Sequence, residues 1–483
     1  LPCRPWSGGY HVSDISMNQP SLKPGELPES TRTLVLVIAS LGGFLVTFMA
    51  SSINIALPLI GADFDVSAVT LSWISLSYML VSTVLLLPAG RIADAYGRMR
   101  LFNVSMIVFL VMAFASAFAP SASVLIVMRA LHGIGLAIGA VTSTALVVLA
   151  FPPERRGRAL GTNVAFVYLG VTLGPVLGGL ICQNLGWRAL FIIVGALSLI
   201  NVVLPLWKLR HVEWREPKGA HFDFLGSVLS GAALVAILVG FSLLPEVLGA
   251  VLVAAGIVGL AAFLWWETRA ADPLLNLDLF RRSRVFAFSN AASLINYSST
   301  SAMIFLLSLY LQYNRGLSTQ TAGFVLVTGP FVQAAFSPMV GRLADRVEAR
   351  HVASAGMAVC VIGLLGLSFA GADTAFWYII LMLCLVSLGN AFFATPNTHA
   401  IMGSVETRWV GVASATMVTM RQVGMSMSLG VAALVLALVV GRDVIRPADY
   451  PHLLTSVRVT FLIFTVLCVF GIAASLVGPR RVR

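Results

Sequence analysis

About fourteen runs of roughly twenty mostly apolar residues follow one another along this chain, and that length is what an α-helix needs to cross a hydrocarbon layer about 30 Å thick. Their approximate limits are 34–60, 69–89, 101–119, 122–150, 158–182, 188–207, 223–244, 247–266, 285–312, 319–340, 351–371, 375–398, 409–440 and 457–477. Membrane strands need only about ten residues, so the runs read as helices and the fold as an all-α polytopic membrane protein. Hydrophobic residues make up 58% of the chain and charged ones 11%. Soluble proteins carry about 25% charged residues, and no soluble core of this length encloses so much apolar surface.

The charges that remain are placed asymmetrically. With the N-terminus inside, twenty-four of the 31 Lys and Arg fall in segments on that side, and five (Arg188, Arg315, Arg442, Arg446, Arg458) on the other. Arg129 and Arg421 lie within runs. Positive residues gather on the cytoplasmic side of membrane proteins, so both termini are expected there. The net charge of +11 is spread a few residues per loop, which fits this rule and not a nucleic-acid-binding patch. Five cysteines without CxxC spacing indicate neither a disulfide framework nor a metal site. Residues 1–33, starting LPCRPWSGGYHVSDIS and rich in Pro, Ser, Gly and Glu, read as a disordered cytoplasmic tail, with Met17 a candidate natural start. A basic tail at 478–483 closes the chain.

A repeat organises the middle. Gly90–Arg100 reads GRIADAYGRMR, a charge-dense loop between two apolar runs, and Gly341–Arg350 reads GRLADRVEAR, 251 residues later. Runs one and nine start the same distance apart. The chain therefore divides into a six-helix bundle at 34–209, a linker with two further spans at 210–284, and a second six-helix bundle at 285–477.

The loop resembles the signature of the major facilitator superfamily, and an ordered set of further stretches is similar to its fourteen-span drug:proton antiporter branch. These are Asn54-Ile55-Ala56-Leu57-Pro58 in span 1, Arg129-Ala130-Leu131-His132-Gly133 in span 4, Gly170 through Gly174-Pro175 to Gly178-Gly179 in span 5, and Arg421-Gln422-Val423-Gly424 in span 13. Trp187-Arg188, Phe222-Asp223 and Leu279-Phe280-Arg281 open or precede spans 6, 7 and 9 in the same way. The resemblance implies the major facilitator fold, two six-helix bundles plus two extra helices between them.

Physical readings accompany each motif. Gly90 and Gly341 permit close helix approach, while Asp94 and Asp345 can accept hydrogen bonds from a helix N-terminus or an arginine. Arg98 and Arg346 supply charge. The resemblance implies that these residues latch the cytoplasmic side in the outward-open state, with a weaker second copy because Glu348 stands where the family has Gly. Gly174, Pro175 and Gly178 give one helix face close packing and a bend, and the family associates the motif with antiport. A charge in hydrocarbon is costly, so Arg129 and Arg421, with His132 and Gln422 beside them, are expected in a polar cavity; Arg129, near the outer end of its span, could also snorkel. His132 replaces the family's glutamine, and imidazole can carry a proton near neutral pH.

By family analogy the substrate cavity lies at mid-membrane between spans 1, 4, 9 and 12, with Met49, Ser52, Asn54, Asn296, Tyr297, Asn390 and Phe393 as candidate wall residues. Met49 stands where the family commonly has an acid, and no Asp or Glu lies deep in any span, which weakens the case for proton coupling. No G-x-x-x-x-G-K-[S/T] sequence occurs, so ATP is not the driver, and no HExxH, GxSxG or paired membrane carboxylates suggest an enzyme. The expectation is a monomeric inner-membrane exporter, driven by protons and acting by alternating access on an amphipathic or cationic small molecule. Its partners are that substrate, protons and membrane lipid, with no cofactor, metal or nucleic acid. An exporter of one endogenous metabolite (amino acid, antibiotic or siderophore) and a non-transporting membrane sensor on the same fold are the alternatives.

Overall fold

The computed structural model describes residues 27–214, 223–270, 273–275, 277–405, 410–441 and 443–476. Most of the expected N-terminal tail, with Cys3 and Met17, and the tail at 478–483 lie outside the described residues.

Long apolar runs with no competing backbone partner in lipid become helices because each helix satisfies its own N–H and C=O groups. In the first half these are α1 (Glu29–Phe64), α2 (Ala68–Tyr96), α3 (Arg98–Ala117), α4 (Ala122–Ala150), α5 (Pro153–Leu185) and α6 (Trp187–Lys208). α7 (Phe224–Leu243), α8 (Val247–Glu267) and the short α9 (Leu277–Arg282) follow. The second half holds α10 (Arg284–Thr300), α11 (Met303–Leu309), α12 (Thr319–Leu326), α13 (Thr328–Arg346), α14 (Ala349–Ser368), α15 (Phe376–Gly403), α16 (Val410–Val439) and α17 (Tyr450–Leu476). Side-chain oxygens set several starts. Ser67, Ser121, Asp223, Ser283 and Ser318 each accept a backbone N–H of the first turn.

Among the described residues, thirteen helical stretches are long and apolar enough to cross a membrane. α12 and α13, broken at Val327, occupy the fourteenth position. Span 9 is likewise interrupted, by a turn at Ser301–Ala302 and a wider π turn over Tyr310–Asn314.

The sequence-based limits need four corrections. Helix begins at Glu29, five residues inside the expected tail, and the last span begins at Tyr450 and not near 457. The supposed loop at Gly90–Arg100 is helical to Tyr96, and only Gly97 breaks it. Its echo at Gly341 is likewise the last turns of α13. Charges end an apolar run but do not end a helix, whose hydrogen bonds continue into the interface.

Packing repeats between the halves. In the first, α1 lies along α5 and α6, α2 along α4, and α3 along α4 and α6. In the second, α10 lies along α16 and α17, α13 along α15, and α14 along α15 and α17. Each pair in one half has its counterpart in the other, the arrangement a duplicated six-helix unit gives. α7 rests on both α2 and α16, so the α7–α8 hairpin covers a seam between the halves. Val251, Ile257 and Val258 of α8, like Val104, Ile107 and Val111 of α3, are exposed, as lipid-facing residues are.

The halves meet unequally at their two ends. At the end away from the termini, Ser308 Oγ donates to Asn54 O (2.6 Å) and Gln312 Nε2 to Ile55 O (3.2 Å). There α5 also touches α12 so closely that a side chain on Gly323 would overlap the Pro175 carbonyl, and one on Gly179 would meet Thr319 O at 2.9 Å. At mid-depth α2 joins α16 through Thr83 Oγ1 and Ser426 Oγ (2.8 Å). α4 and α15, counterparts in the two halves, are not packed together. The molecule is thus closed at the end away from its termini.

Candidate functional site

A small, partly open hollow lies among α10, α15 and α16, all in the second half, and not between the halves as the sequence led us to expect. Ser293 and Tyr297 line it from α10; Phe393, Ala394, Asn397 and Thr398 from α15; and Met417, Val418 and Arg421 from α16. Helical spacing brings them together, because residues three or four apart share a face. Asn397 fixes the floor, its Nδ2 donating to Ser293 Oγ (2.7 Å) and Ser289 O (3.1 Å). Arg421 stands eleven residues into α16, about 17 Å along the axis at 1.5 Å per residue. Its guanidinium carbon lies 5.8 Å from the Tyr297 ring centroid, and the side chain is exposed. Polar side chains (Ser293, Asn397, Thr398, Arg421) and apolar or aromatic ones (Tyr297, Phe393, Ala394, Met417, Val418) share its walls about equally, a mixture that suits an amphipathic ligand.

Arg129 and His132 are elsewhere. Both are fully enclosed (0% exposed) among α2, α3 and α4, so neither lines the cavity, and Arg129 does not snorkel. Arg129 Nε donates to Ile74 O (3.3 Å), its guanidinium sits 4.0 Å from the Tyr78 ring centroid, and Nη1 is 3.4 Å from His132 Nδ1. Arg129 Nη2 and His132 Nε2 are buried without hydrogen-bond partners. A cation is held here by a carbonyl, a ring face and an imidazole, with no acid.

The other expected residues divide in the same way. Tyr297 and Phe393 line the cavity. Met49 and Ser52 are turned away, at 0% exposure, and Ser52 Oγ donates to Gly174 O (3.0 Å) across the α1–α5 contact. Asn54 accepts from Ser75 Oγ (3.0 Å), and Asn296 Nδ2 donates to Asn390 Oδ1 (2.9 Å), so both tie neighbouring helices. Gln422 reaches across the halves, its Nε2 3.3 Å from Met79 Sδ. Gly174 and Gly178 bring α5 onto Ser51 and Ser52 of α1, and Pro175 meets α12. Gly90 faces Val141 of α4, and Gly341 faces Thr395 of α15. The side chains of Asp94, Asp345 and Arg346 lie outside the described residues. The sequence reading missed Ser293, Asn397, Thr398 and Met417. Stepping one helical turn from Tyr297, Phe393 and Arg421 would have found Ser293, Asn397 and Met417, but not Thr398.

The stretch after α6 adds a contact no motif suggested. Glu213 accepts from Met99 N (3.0 Å), Arg100 N (3.1 Å) and Trp214 N (2.9 Å), and Arg98 N donates to Trp214 O. The carboxylate caps the start of α3. It sits where a side chain at residue 97 would be, 2.6 Å from an added Cβ, and Gly97 has φ +112°, so only glycine fits. Replacing Glu213 with Ala leaves these donors without their acceptor, an expected loss of about 1–2 kcal/mol read as a lower unfolding midpoint in detergent at pH 7. Burial pushes the Glu213 carboxyl up from its ordinary value, opposed by the N–H donors and Arg100. The folded state therefore holds that proton more tightly than the unfolded chain. Its stabilising effect is full below the ordinary carboxylate value and is lost as pH rises through the raised one. The stability advantage of the wild type over Glu213→Gln should shrink over that rise.

Comparison with known proteins follows the same lines. The family model described as Major Facilitator Superfamily matches residues 39–429 and 290–483. The chain is 30% identical over 402 residues to the riboflavin transporter RibZ of Clostridioides difficile, covering 83% of this chain and 86% of that one. It is 32% identical over 413 residues to the multidrug resistance protein Stp of Mycobacterium tuberculosis (84% and 76%). It is 32% identical over 411 residues to the cephamycin export protein CmcT of Amycolatopsis lactamdurans (83% and 84%). Among solved structures, a bacterial homolog of the human lysosomal transporter Spinster superposes with a TM-score of 0.70 at 15% identity, covering 93% of this chain and 97% of that one. That likeness is one of fold.

Proposed function

Because the chain belongs to the major facilitator superfamily, we propose that it is a secondary transporter exporting amphipathic small molecules across the bacterial cytoplasmic membrane by alternating access, driven by proton entry. One observation carries the reading: two matching bundles meet tightly at the end away from the termini, while α4 and α15, counterparts in the two halves, are not packed together, and a hollow holding Arg421 opens at mid-depth in the second bundle. With the termini in the cytoplasm, as the Lys and Arg distribution favours, this is the inward-facing state. In the opposite state Gly90, Asp94 and Arg98, with Gly341, Asp345 and Arg346, latch the cytoplasmic end. Gly174, Pro175 and Gly178 keep α5 rigid against α1 as its outer face leaves α12. Arg129 and His132 form the enclosed polar centre that answers protons, and Arg421 and Gln422 connect cavity and seam.

Relatives named for drug resistance and for export support outward transport. A second reading, export of one specific metabolite, is favoured by relatives named for riboflavin transport and for cephamycin export.

Flux in reconstituted vesicles tests the proposal. An inward proton gradient is imposed and followed with a fluorescent pH probe while amphipathic dyes are added. Dye-dependent collapse of the gradient is the expected result. Dye movement without proton movement refutes the coupling, and movement of neither refutes export of amphipaths.

A further inference from the structure

The charged residues well inside the spans are all of one sign. The 20 Asp and Glu residues fall in the tails, loops and helix ends, and those closest to the spans are engaged there. Asp63 pairs with Arg188 and Trp187, Asp223 caps α7 and accepts from Trp266, and Glu267 accepts from Leu275 N. The two charged residues well inside the spans are Arg129 and Arg421. Arg129 is enclosed. Arg421 faces the cavity, and among the described residues no carboxylate pairs with it; its neighbour is Tyr297, ring and hydroxyl.

We propose that the exported compound is an amphipathic anion whose acidic group binds Arg421 while its apolar ring system lies against Tyr297, Phe393 and Met417. This rests on the export reading and narrows the expected substrate class, amphipathic or cationic, to one sign of charge. A guanidinium offers five N–H donors in a fixed plane that matches a carboxylate, sulfonate or phosphate two bonds at a time. Thr398, one turn from Ala394, spends its hydroxyl proton on that residue's carbonyl (2.8 Å), and Asn397 is held by Ser293, so the charged donors in the lining belong to Arg421. A lipophilic cation entering here would leave water for a site with no acid and an uncompensated positive charge, so the same residues that attract an anion reject it. Aromatic faces and a flexible thioether accept varied apolar bodies, so charge selects and shape does not.

The test uses three derivatives of one ring, pyrene, bearing a carboxylate, a quaternary ammonium or a hydroxyl. Their flux is measured in vesicles of the full chain with the membrane potential clamped. The carboxylate is expected to move at least tenfold faster than the ammonium; Arg421→Gln removes that preference, and Arg421→Lys restores part of it. An ammonium that moves as fast as the carboxylate overturns the proposal and leaves export standing. So does an Arg421→Gln variant that keeps full carboxylate flux, or that slows the alcohol just as much. If none of the three moves, the export reading itself fails and the substrate class with it.

Discussion

Replacing Arg129 with Met is expected to cut transport at least tenfold while leaving the thermal unfolding midpoint unchanged or higher. The two halves of that expectation have one cause. Arg129 is wholly enclosed with no acid near it, and its Nη2 has no hydrogen-bond partner. Burying a lone ion costs several kcal/mol, which one carbonyl bond and the Tyr78 ring offset only in part; well-packed apolar replacements of buried ions are often neutral or stabilising by about 1–4 kcal/mol. Met has nearly the reach of Arg and a flexible shape, so it fills the space without a large cavity. A group that burdens the fold is retained for something else. Arg129 grips the Ile74 carbonyl on α2, the helix that carries Thr83 to Ser426 in the other half, so it ties the buried polar centre to a moving seam. Tenfold in rate corresponds to about 1.4 kcal/mol in the barrier. Unfolding in detergent and flux in vesicles check the two halves separately. A Met variant that is destabilised yet transports normally would make Arg129 a structural residue.

Gly323→Val is expected to force the outer end open. Its Cβ would overlap the Pro175 carbonyl across the α5–α12 contact, and neither backbone can yield as a flexible side chain would. Overpacking of this kind costs about 1–3 kcal/mol. Here the cost falls only on the state in which the two halves touch. It therefore shifts the conformational equilibrium by roughly 5- to 150-fold toward the outward-open form. Cysteines placed at Gln183 or Thr321 should react faster with a membrane-impermeant reagent, and transport should fall. Gly174→Val is the contrast. Its Cβ would meet Ser51 Cβ at 2.6 Å and Ser52 N at 3.1 Å, both within the first half. It should lower the unfolding midpoint without changing outer-end reactivity relative to wild type. Equal reactivity in wild type and Gly323→Val would mean that this contact does not govern the outer end.

The positions of the spans were legible in the sequence because apolar length is a local property. So was the duplication, which the offset between Gly90 and Gly341 displays and which the matched packing of α1 on α5 and α10 on α16 repeats. Direction around a helix was harder. Ser52 turns into the α1–α5 contact, where Gly174 and Gly178 leave room, Met49 is buried in the core, and nothing within span 1 reveals those faces. Arg129 and Arg421 carry the same charge and looked alike as costly residues. Their difference lies in neighbours more than forty residues distant in the chain for Arg129, Ile74 and Tyr78, and on two other helices for Arg421, Tyr297 and Phe393. Glu213 was invisible for the same reason, since its partners are Met99 and Arg100.

The central claim, that two bundles open alternately at opposite ends, is tested most directly by paired distances in one membrane sample. Spin labels at Gln183 and Thr321 report the outer end, and labels at Tyr96 and Val347 report the end near the termini. On lowering the pH or adding a transported amphipath, the outer distance should lengthen while the inner one shortens, in the same fraction of molecules. Two distances that stay fixed under every condition, or lengthen together, would contradict the account.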